Sequence, residues 1–210
     1  AQAAERAWSY SYNALGLIER ADGPRTDVQD VTLYAYDSRG NLTQVTNALG
    51  QVTRLGDYDE RGKPGSITDA NGAEKVSLAY NDDGSTTVTN EYGKQATYRF
   101  QVIQGIKRIV AIEGEPSPNC PSSNSTFTYD ERGLLTSKRD NNGNLTTYQY
   151  SARGLETSRT EAAGTAQART ITTDWHPTLF LPVQVSEPGR ITRYQYDAEG
   201  RKTGETVTTR

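Results

Sequence analysis

An all-β chain of stacked antiparallel hairpins is predicted by three observations: a recurring turn phrase, a regular spacing between its copies, and period-two alternation in the stretches between. The phrase is clearest at Tyr36-Asp37-Ser38-Arg39-Gly40-Asn41-Leu42-Thr43. It returns as Tyr58-Asp59-Glu60-Arg61-Gly62, Tyr129-Asp130-Glu131-Arg132-Gly133 and Tyr196-Asp197-Ala198-Glu199-Gly200. Weaker copies stand at Tyr12-Asn13-Ala14-Leu15-Gly16, Tyr80-Asn81-Asp82-Asp83-Gly84 and Tyr150-Ser151-Ala152-Arg153-Gly154. Gly16 to Gly40 is 24 residues, Gly40 to Gly62 and Gly62 to Gly84 are 22 each, and Gly133 to Gly154 is 21. The longer intervals, 49 from Gly84 to Gly133 and 46 from Gly154 to Gly200, hold about two units each. Self-similarity at a fixed period of 20 to 50 residues is the signature of a repeat architecture. Residues 1–210 therefore read as a single array of about nine hairpin units, with irregular inserts near 94–128 and 165–193.

Each part of the phrase has a physical reason. Asp, Asn or Ser opens a four-residue turn, where its side chain accepts from the backbone N–H two residues on. Gly closes the turn, where positive φ costs it little. The expected connection is a type I turn followed by a Gly bulge. The preceding Tyr suits a strand end, since its ring packs while its hydroxyl stays wet. On this reading Tyr36, Asp37, Gly40, Tyr58, Asp59, Gly62, Tyr80, Asn81, Gly84, Tyr129, Asp130, Gly133, Tyr150, Gly154, Tyr196, Asp197 and Gly200 are structural turn residues.

Taken in order, residues 1–7 offer at most a short helix. About ten residues after each first turn comes a second, as at Asn47-Ala48-Leu49-Gly50, Asp69-Ala70-Asn71-Gly72, Asn90-Glu91-Tyr92-Gly93, Asp140-Asn141-Asn142-Gly143 and Glu161-Ala162-Ala163-Gly164. About seven residues are left per strand, a usual length. Val76, Leu78 and Tyr80 alternate with Lys75, Ser77 and Ala79, as on a half-buried strand. Phe100–Ile103 and Ile106–Ile112, joined by Gln104-Gly105, read as a hairpin with a short turn. Residues 115–124, with three prolines around Cys120, read as a loop. Leu179–Val183 reads as a strand whose Pro182 makes a bulge or an edge. No convincing helix is present, and Ala162–Arg169 is small and broken by Gly164.

Composition alone resembles that of disordered chains, but the tyrosines and the spaced glycines point to a β-protein whose buried surface is largely aromatic ring and aliphatic stem, with Thr-rich exposed strands. Hydrophobic residues make up 33% and mean hydropathy is -0.78, yet there are 13 Tyr and the turn glycines keep their spacing. A net charge of -3 points to no nucleic-acid or membrane surface. No apolar run of about 18 residues is present to span a membrane. The single Cys excludes an intrachain disulfide. The absence of Met and of a signal peptide reads as a piece of a longer protein.

Catalytic chemistry finds no foothold. His176 is the only His and lies between Trp175 and Pro177. With one His and one Cys there is no metal site, and Asn81-Asp82-Asp83-Gly84 lacks the distal Glu of a calcium loop, since Tyr92 stands at its twelfth position. The carboxylates of the Tyr-Asp pairs are strung along the array and form no acid/base pair. Asn41, Asn124 and Asn144 fit glycosylation sequons but fall where turns and loops are expected. No catalytic residue, cofactor or metal is expected.

The phrase resembles that of the YD-repeat, or Rhs-repeat, family: Tyr36-Asp37-Ser38-Arg39-Gly40-Asn41-Leu42-Thr43 matches its pattern throughout, and Tyr196–Arg201 matches its first half. The stretches Asn119-Cys120-Pro121 and Thr173-Asp174-Trp175-His176-Pro177 are also similar to segments of bacterial Rhs proteins. What the resemblance implies is a β-ribbon spiralling into a hollow shell that encloses a C-terminal toxin domain. The shell would belong to a secreted or delivered bacterial effector, cytoplasmic before export or at the cell surface, often handled by type VI secretion. Its partners would be the rest of the same polypeptide shell, the enclosed toxin and secretion-spike components. The self-cleaving Asp-Pro-x-Gly segment of such shells has no match here. The competing reading is a carbohydrate- or cell-wall-binding β-repeat module, with rows of Tyr stacking on glycans.

Overall fold

Between successive turns the backbone is extended, and every connection reverses the chain. The computed structural model describes residues 7–25, 27–69, 72, 74–117 and 120–209, and within 115–123 the backbone alone. Among these residues there are eighteen β-strands and no α-helix. The chain falls into two units, Ala1–Gln95 and Ala96–Arg210.

The first unit holds β1 (Ser9–Tyr12), β2 (Ile18–Asp22), β3 (Val31–Tyr36), β4 (Leu42–Thr46), β5 (Val52–Gly56), β6 (Ser66–Asp69), β7 (Glu74–Tyr80) and β8 (Thr86–Asn90). Each pairs antiparallel with the next, from β1–β2 through β7–β8. The second unit begins in β9 (Gln95–Ile103). It continues through β10 (Ile106–Ser117), β11 (Cys120–Tyr129), β12 (Leu135–Arg139), β13 (Leu145–Tyr150), β14 (Glu156–Glu161), β15 (Arg169–Trp175), β16 (Pro182–Glu187), β17 (Arg190–Tyr196) and β18 (Lys202–Thr209). It is the same antiparallel meander from β9–β10 to β17–β18.

Two expectations are corrected. The proline-rich stretch 115–124 is strand at both ends rather than a loop. β10 runs to Ser117 and β11 starts at Cys120, with Ser117 opposite Cys120 and Glu115 opposite Ser123 across irregular register. The long partner strands carry their ladder outward past the positions that lack an N–H. The expected strand Leu179–Val183 instead starts at Pro182, where proline gives up only a ladder donor the strand has not yet begun to use. Pro182 faces Trp175 beside a register shift, so residues 176–181 form the connection. The helix considered at residues 1–7 lies outside the described residues except for Ala7.

No packed interior forms. Among the described residues the buried hydrophobics are Ala96, Ile171 and Ile191, and the buried polar residues are Ser85, Ser125 and Thr192. The accessible surface is 14191 Å², against ~9,700 Å² expected for a compact monomer of this mass. Stability therefore rests on backbone ladders and neighbour-to-neighbour side-chain contacts. β7 shows the pattern, with Val76 and Leu78 half-buried and Lys75, Ser77 and Ala79 exposed.

Candidate functional site

Because the strands form a meander, alternate turns line up on the same edge. In the first unit, one edge holds the turns Asn13–Leu17, Asp37–Asn41, Asp59–Lys63 and Asn81–Ser85. In the second unit, taken by itself, one edge holds Gln104-Gly105, Asp130–Leu134, Ser151–Leu155, His176–Leu181 and Asp197–Arg201. The opposite edge holds the intervening turns, among them Asn47–Gln51, Asn90–Lys94 and Asp140–Asn144.

The turn itself is one device used many times. The Asp37 N–H donates to the Asn41 carbonyl at 2.9 Å, and the Gly40 N–H donates to the Asp37 carbonyl at 3.1 Å. Asp37 Oδ1 accepts from the Arg39 N–H at 2.9 Å and from the Asn41 N–H at 2.8 Å. One side-chain oxygen thus satisfies two backbone donors that the tight reversal would leave open. Asp59, Asp130, Asp140 and Asp197 repeat the arrangement, and so do Asn13, Asn47 and Asn90. Ser151, with a shorter reach, accepts only from Leu155 at 3.3 Å. Asn81 departs further: its amide donates to Ser85 and Thr87, and Asp83 takes the Ser85 N–H.

Hydrogen bonding to the charged form holds four of these carboxylates below the ordinary range. The main cause is the Asn41 side-chain amide for Asp37 and the Leu134 N–H for Asp130. For Asp140 it is the Asn144 side-chain amide, and for Asp197 the Arg201 N–H. The phenols of Tyr58, Tyr80 and Tyr150 are pushed up, chiefly by burial.

At Tyr36, Tyr58, Tyr80, Tyr129 and Tyr196 the Tyr before the turn joins one hairpin to the one before it. Tyr36 Oη donates to the Ile18 carbonyl at 2.8 Å, Tyr80 to Pro64 at 2.9 Å, Tyr129 to Ile109 at 2.8 Å and Tyr196 to Pro182 at 2.9 Å. Tyr58 donates likewise to the Leu42 carbonyl. The turn glycines touch the preceding turn as well. A Cβ on Gly40 would sit 3.5 Å from Leu17, on Gly62 3.3 Å from Asn41, on Gly154 3.7 Å from Leu134 and on Gly200 3.4 Å from Leu179 and Leu181. At Gly50, Gly93 and Gly143, on the opposite edge, a Cβ would meet nothing within 4 Å. At Gly84, on the Tyr edge, a Cβ would also meet nothing within 4 Å, so the packed part of the row is at Gly40, Gly62, Gly154 and Gly200.

Two features of this row were not found in the sequence. Trp175-His176 occupies the Tyr-Asp position, inside a segment read as irregular. Trp175 Nε1 donates to the Glu156 carbonyl at 2.7 Å, as the tyrosines do to theirs. His176 Nδ1 accepts from the Leu179 N–H at 3.1 Å and the Thr178 N–H at 3.3 Å, and the His176 N–H donates to Leu181 at 2.8 Å. The signal was available in spacing, since His176 lies 25 residues after Ser151 and 21 before Asp197. The second feature is arginine at the third turn position. Arg132 donates to the Ser151 carbonyl at 2.8 Å, one turn along the row. Arg153 donates to the carbonyls of His176 at 2.7 Å, Pro177 at 2.8 Å and Leu179 at 3.0 Å, and lies 5.0 Å from the centre of the Phe180 ring.

Beyond the row, a cleft of about 300 Å³ is lined by Val45, Asn47, Gln51, Thr53 and Asp69. Asn47 and Gln51 bond each other and Thr53 bonds Asp69, so its polar groups already serve the turn and ladder. Among the described residues no group of three or more His, Cys, Asp or Glu is arranged to hold a metal ion, and no helix is long and apolar enough to cross a membrane. The backbone of Cys120 opens β11.

Comparison with known proteins matches this geometry to a family. The pattern described as RHS Repeat matches residues 36–74 and 129–166. Double-stranded DNA deaminase toxin A of Burkholderia cenocepacia (strain H111) is 30% identical over 138 residues, covering 52% of this chain and 9% of that protein. The chain thus spans only a small part of that relative's length. Among solved structures, the crystal structure of TcdB2-TccC3-TEV is similar over 95% of this chain and 14% of that one, with 13% identity and a TM-score of 0.46. A porin-like protein from Bacteroides uniformis ATCC 8492 is similar over 85% of this chain and 88% of that one, with 14% identity and a TM-score of 0.37. Each matched segment begins at the Tyr of a Tyr-Asp turn and runs through the next strands, so residues 36–74 and 129–166 carry the RHS repeat.

Proposed function

We propose that this chain is a non-catalytic segment of an Rhs/YD-repeat shell, part of a toxin polypeptide whose wall encloses a C-terminal toxin domain for delivery to competing bacteria. The observation that carries the reading is the turn row. The carboxylates that would serve acid/base chemistry, as at Asp37 and Asp197, are spent on backbone N–H groups of their own turns. The hydroxyls of Tyr36, Tyr129 and Tyr196, which a sugar-binding row would offer its ligand, bond neighbouring carbonyls instead. What the arrangement does is mechanical, since Tyr36, Tyr58, Tyr80, Tyr129, Trp175 and Tyr196 each clamp a hairpin to the one before it. Single arrays of about nine units make the wall, and the remaining polypeptide, the toxin and the secretion spike are its partners. The likeness to a toxin of which this chain matches 9% fits a wall segment within a longer protein.

Limited proteolysis of the intact polypeptide tests the reading. The enclosed domain is expected to survive protease that digests the same domain expressed alone. Digestion at equal rates in the two forms would rule out enclosure.

A further inference from the structure

The turn that joins β15 to β16 is closed by a group unlike those of its neighbours. Asp37, Asp130, Asp140 and Asp197 close theirs with carboxylates held below the ordinary range, and Asn13, Asn47 and Asn90 with amides that do not titrate. Here the acceptor is Nδ1 of His176, the only histidine of the chain. It takes the Leu179 N–H at 3.1 Å and the Thr178 N–H at 3.3 Å, and Thr178 Oγ1 lies 3.4 Å from it. A ring nitrogen that accepts carries no proton, so the neutral imidazole is protonated at Nε2. A second proton can go only to Nδ1, where it would face those N–H groups. The protonated ring has two donors and no acceptor, so the turn loses both bonds. The charges around the turn do not offset that proton. From the preceding turn, Arg153 already donates to the carbonyls of His176, Pro177 and Leu179. In the following turn, where a Cβ on Gly200 would meet Leu179 and Leu181, Asp197 and Glu199 are both paired with Arg201. On the strands, Asp174 accepts from Gln184, and Glu156, whose carbonyl takes Trp175 Nε1, is paired with Arg159.

We infer that residues 176–181 are a proton-operated latch: the turn is closed while the His176 imidazole is neutral and opens when it takes up a proton, with β15 and β16 still paired behind it. Histidine is the side chain that ordinarily changes charge between about pH 5 and 8, so opening belongs to mild acid. The Asp turns keep their carboxylates ionised there and stay shut. The ladder pairs from Thr172–Ser186 to Trp175–Pro182 need no ring and hold the two strands in place. The connection itself has few other holds. The His176 N–H donates to the Leu181 carbonyl at 2.8 Å, and Phe180 is 71% exposed. Segments of this kind lie at the low-stability end of a structure, where local opening costs least. Opening takes three carbonyls off Arg153 and moves Leu179 and Leu181 away from the turn at Gly200. The row of turns then parts at one place while the ladder stays whole. The latch depends on the bonds of this turn alone and is independent of an enclosing role.

Nuclear magnetic resonance of the isotope-labelled 210-residue chain tests it, since one histidine gives one imidazole to follow. At neutral pH the ring is expected to carry its proton on Nε2 and none on Nδ1. As the ring titrates, the His176 and Leu179 amides should lose about ten-fold in protection from hydrogen exchange, after correction for the intrinsic rate. The Arg132 and Asn142 amides, bonded to Asp130 and Asp140, should keep theirs. His176→Asn retains a side-chain acceptor that does not titrate. It should keep the Leu179 amide protected across the same range, with an unchanged circular dichroism spectrum. The measurements on the unaltered chain decide the question if that variant fails to fold. A ring protonated at Nδ1 at neutral pH, unchanged Leu179 protection through the ring's titration, equal losses at the Asp turns, or the same loss in His176→Asn would each overturn the latch.

Discussion

One carboxylate oxygen accepting two backbone N–H groups is what holds each turn, and two predictions follow from it at the level of single residues. Asp37, Asp130, Asp140 and Asp197 have carboxylates held below their ordinary range. Their contribution is therefore present above the unfolded value of about 3.9 and is lost as pH falls through the lower folded values. Circular dichroism is expected to show strand loss beginning below about pH 4. Asp130→Asn should soften that acid limb while leaving the urea midpoint at neutral pH little changed, because Asn13, Asn47 and Asn90 already hold the same turn as amides. Glycine gives the second prediction. Gly133 and Gly143 have φ of 77 and 85, so alanine is strained at both by about 1 kcal/mol. Only at Gly133 would the new Cβ also press on Arg108, at 3.3 Å. In urea titrations Gly133→Ala should be the more destabilising of the two, and equal effects would mean that the turn row is not packed.

At the scale of elements, the β9–β10 hairpin has a turn residue poorly suited to its backbone, as the β14–β15 connection has at Ala162. Ile103 faces Ile106, so Gln104 and Gly105 make a two-residue connection, with φ of 49 and 78. That is the geometry in which Asn-Gly is favoured, because Asn tolerates the left-handed region better than Gln. Gln104→Asn is expected to stabilise the protein by ~0.5–1 kcal/mol, read as a higher urea midpoint at unchanged slope. The hairpin was legible in the sequence, since two apolar runs flank a short Gly turn. The strand ends beyond it were not. Prolines near Cys120 suggested a loop, but the backbone ladder between β10 and β11 continues at irregular register to Ser117 and Cys120. A Pro at the start of β16 was likewise read as lying inside a strand, because local pattern does not say which N–H groups the ladder needs.

For the whole molecule, stability without a core means stability by neighbours. An array of this kind should lose its contributions piecewise. A chain ending at Gly189, which lacks β17 and β18, is expected to retain the strand signal of the remaining residues and to melt a few degrees lower, as expected for a loss of about 1–2 kcal/mol in a domain this large. Complete loss of structure would instead point to an all-or-none core. The exposed surface, 14191 Å², belongs to the same picture of side chains that meet only their neighbours.

The sequence by itself determined the strand–turn rhythm. Asp or Asn at the turn's first position, Gly at its fourth and an aromatic before it are local requirements of one reversal, and local requirements leave a local trace. The tertiary structure decided which of those residues meet. That Tyr36 reaches Ile18, that Trp175-His176 serves as a Tyr-Asp pair and that Arg153 holds the next turn all depend on where the neighbouring strand lies. The distinction between the two edges has the same origin. A turn glycine on either edge needs positive φ, but only at Gly40, Gly62, Gly154 and Gly200 would an added Cβ meet the preceding turn, and that contact exists only once the hairpins are stacked.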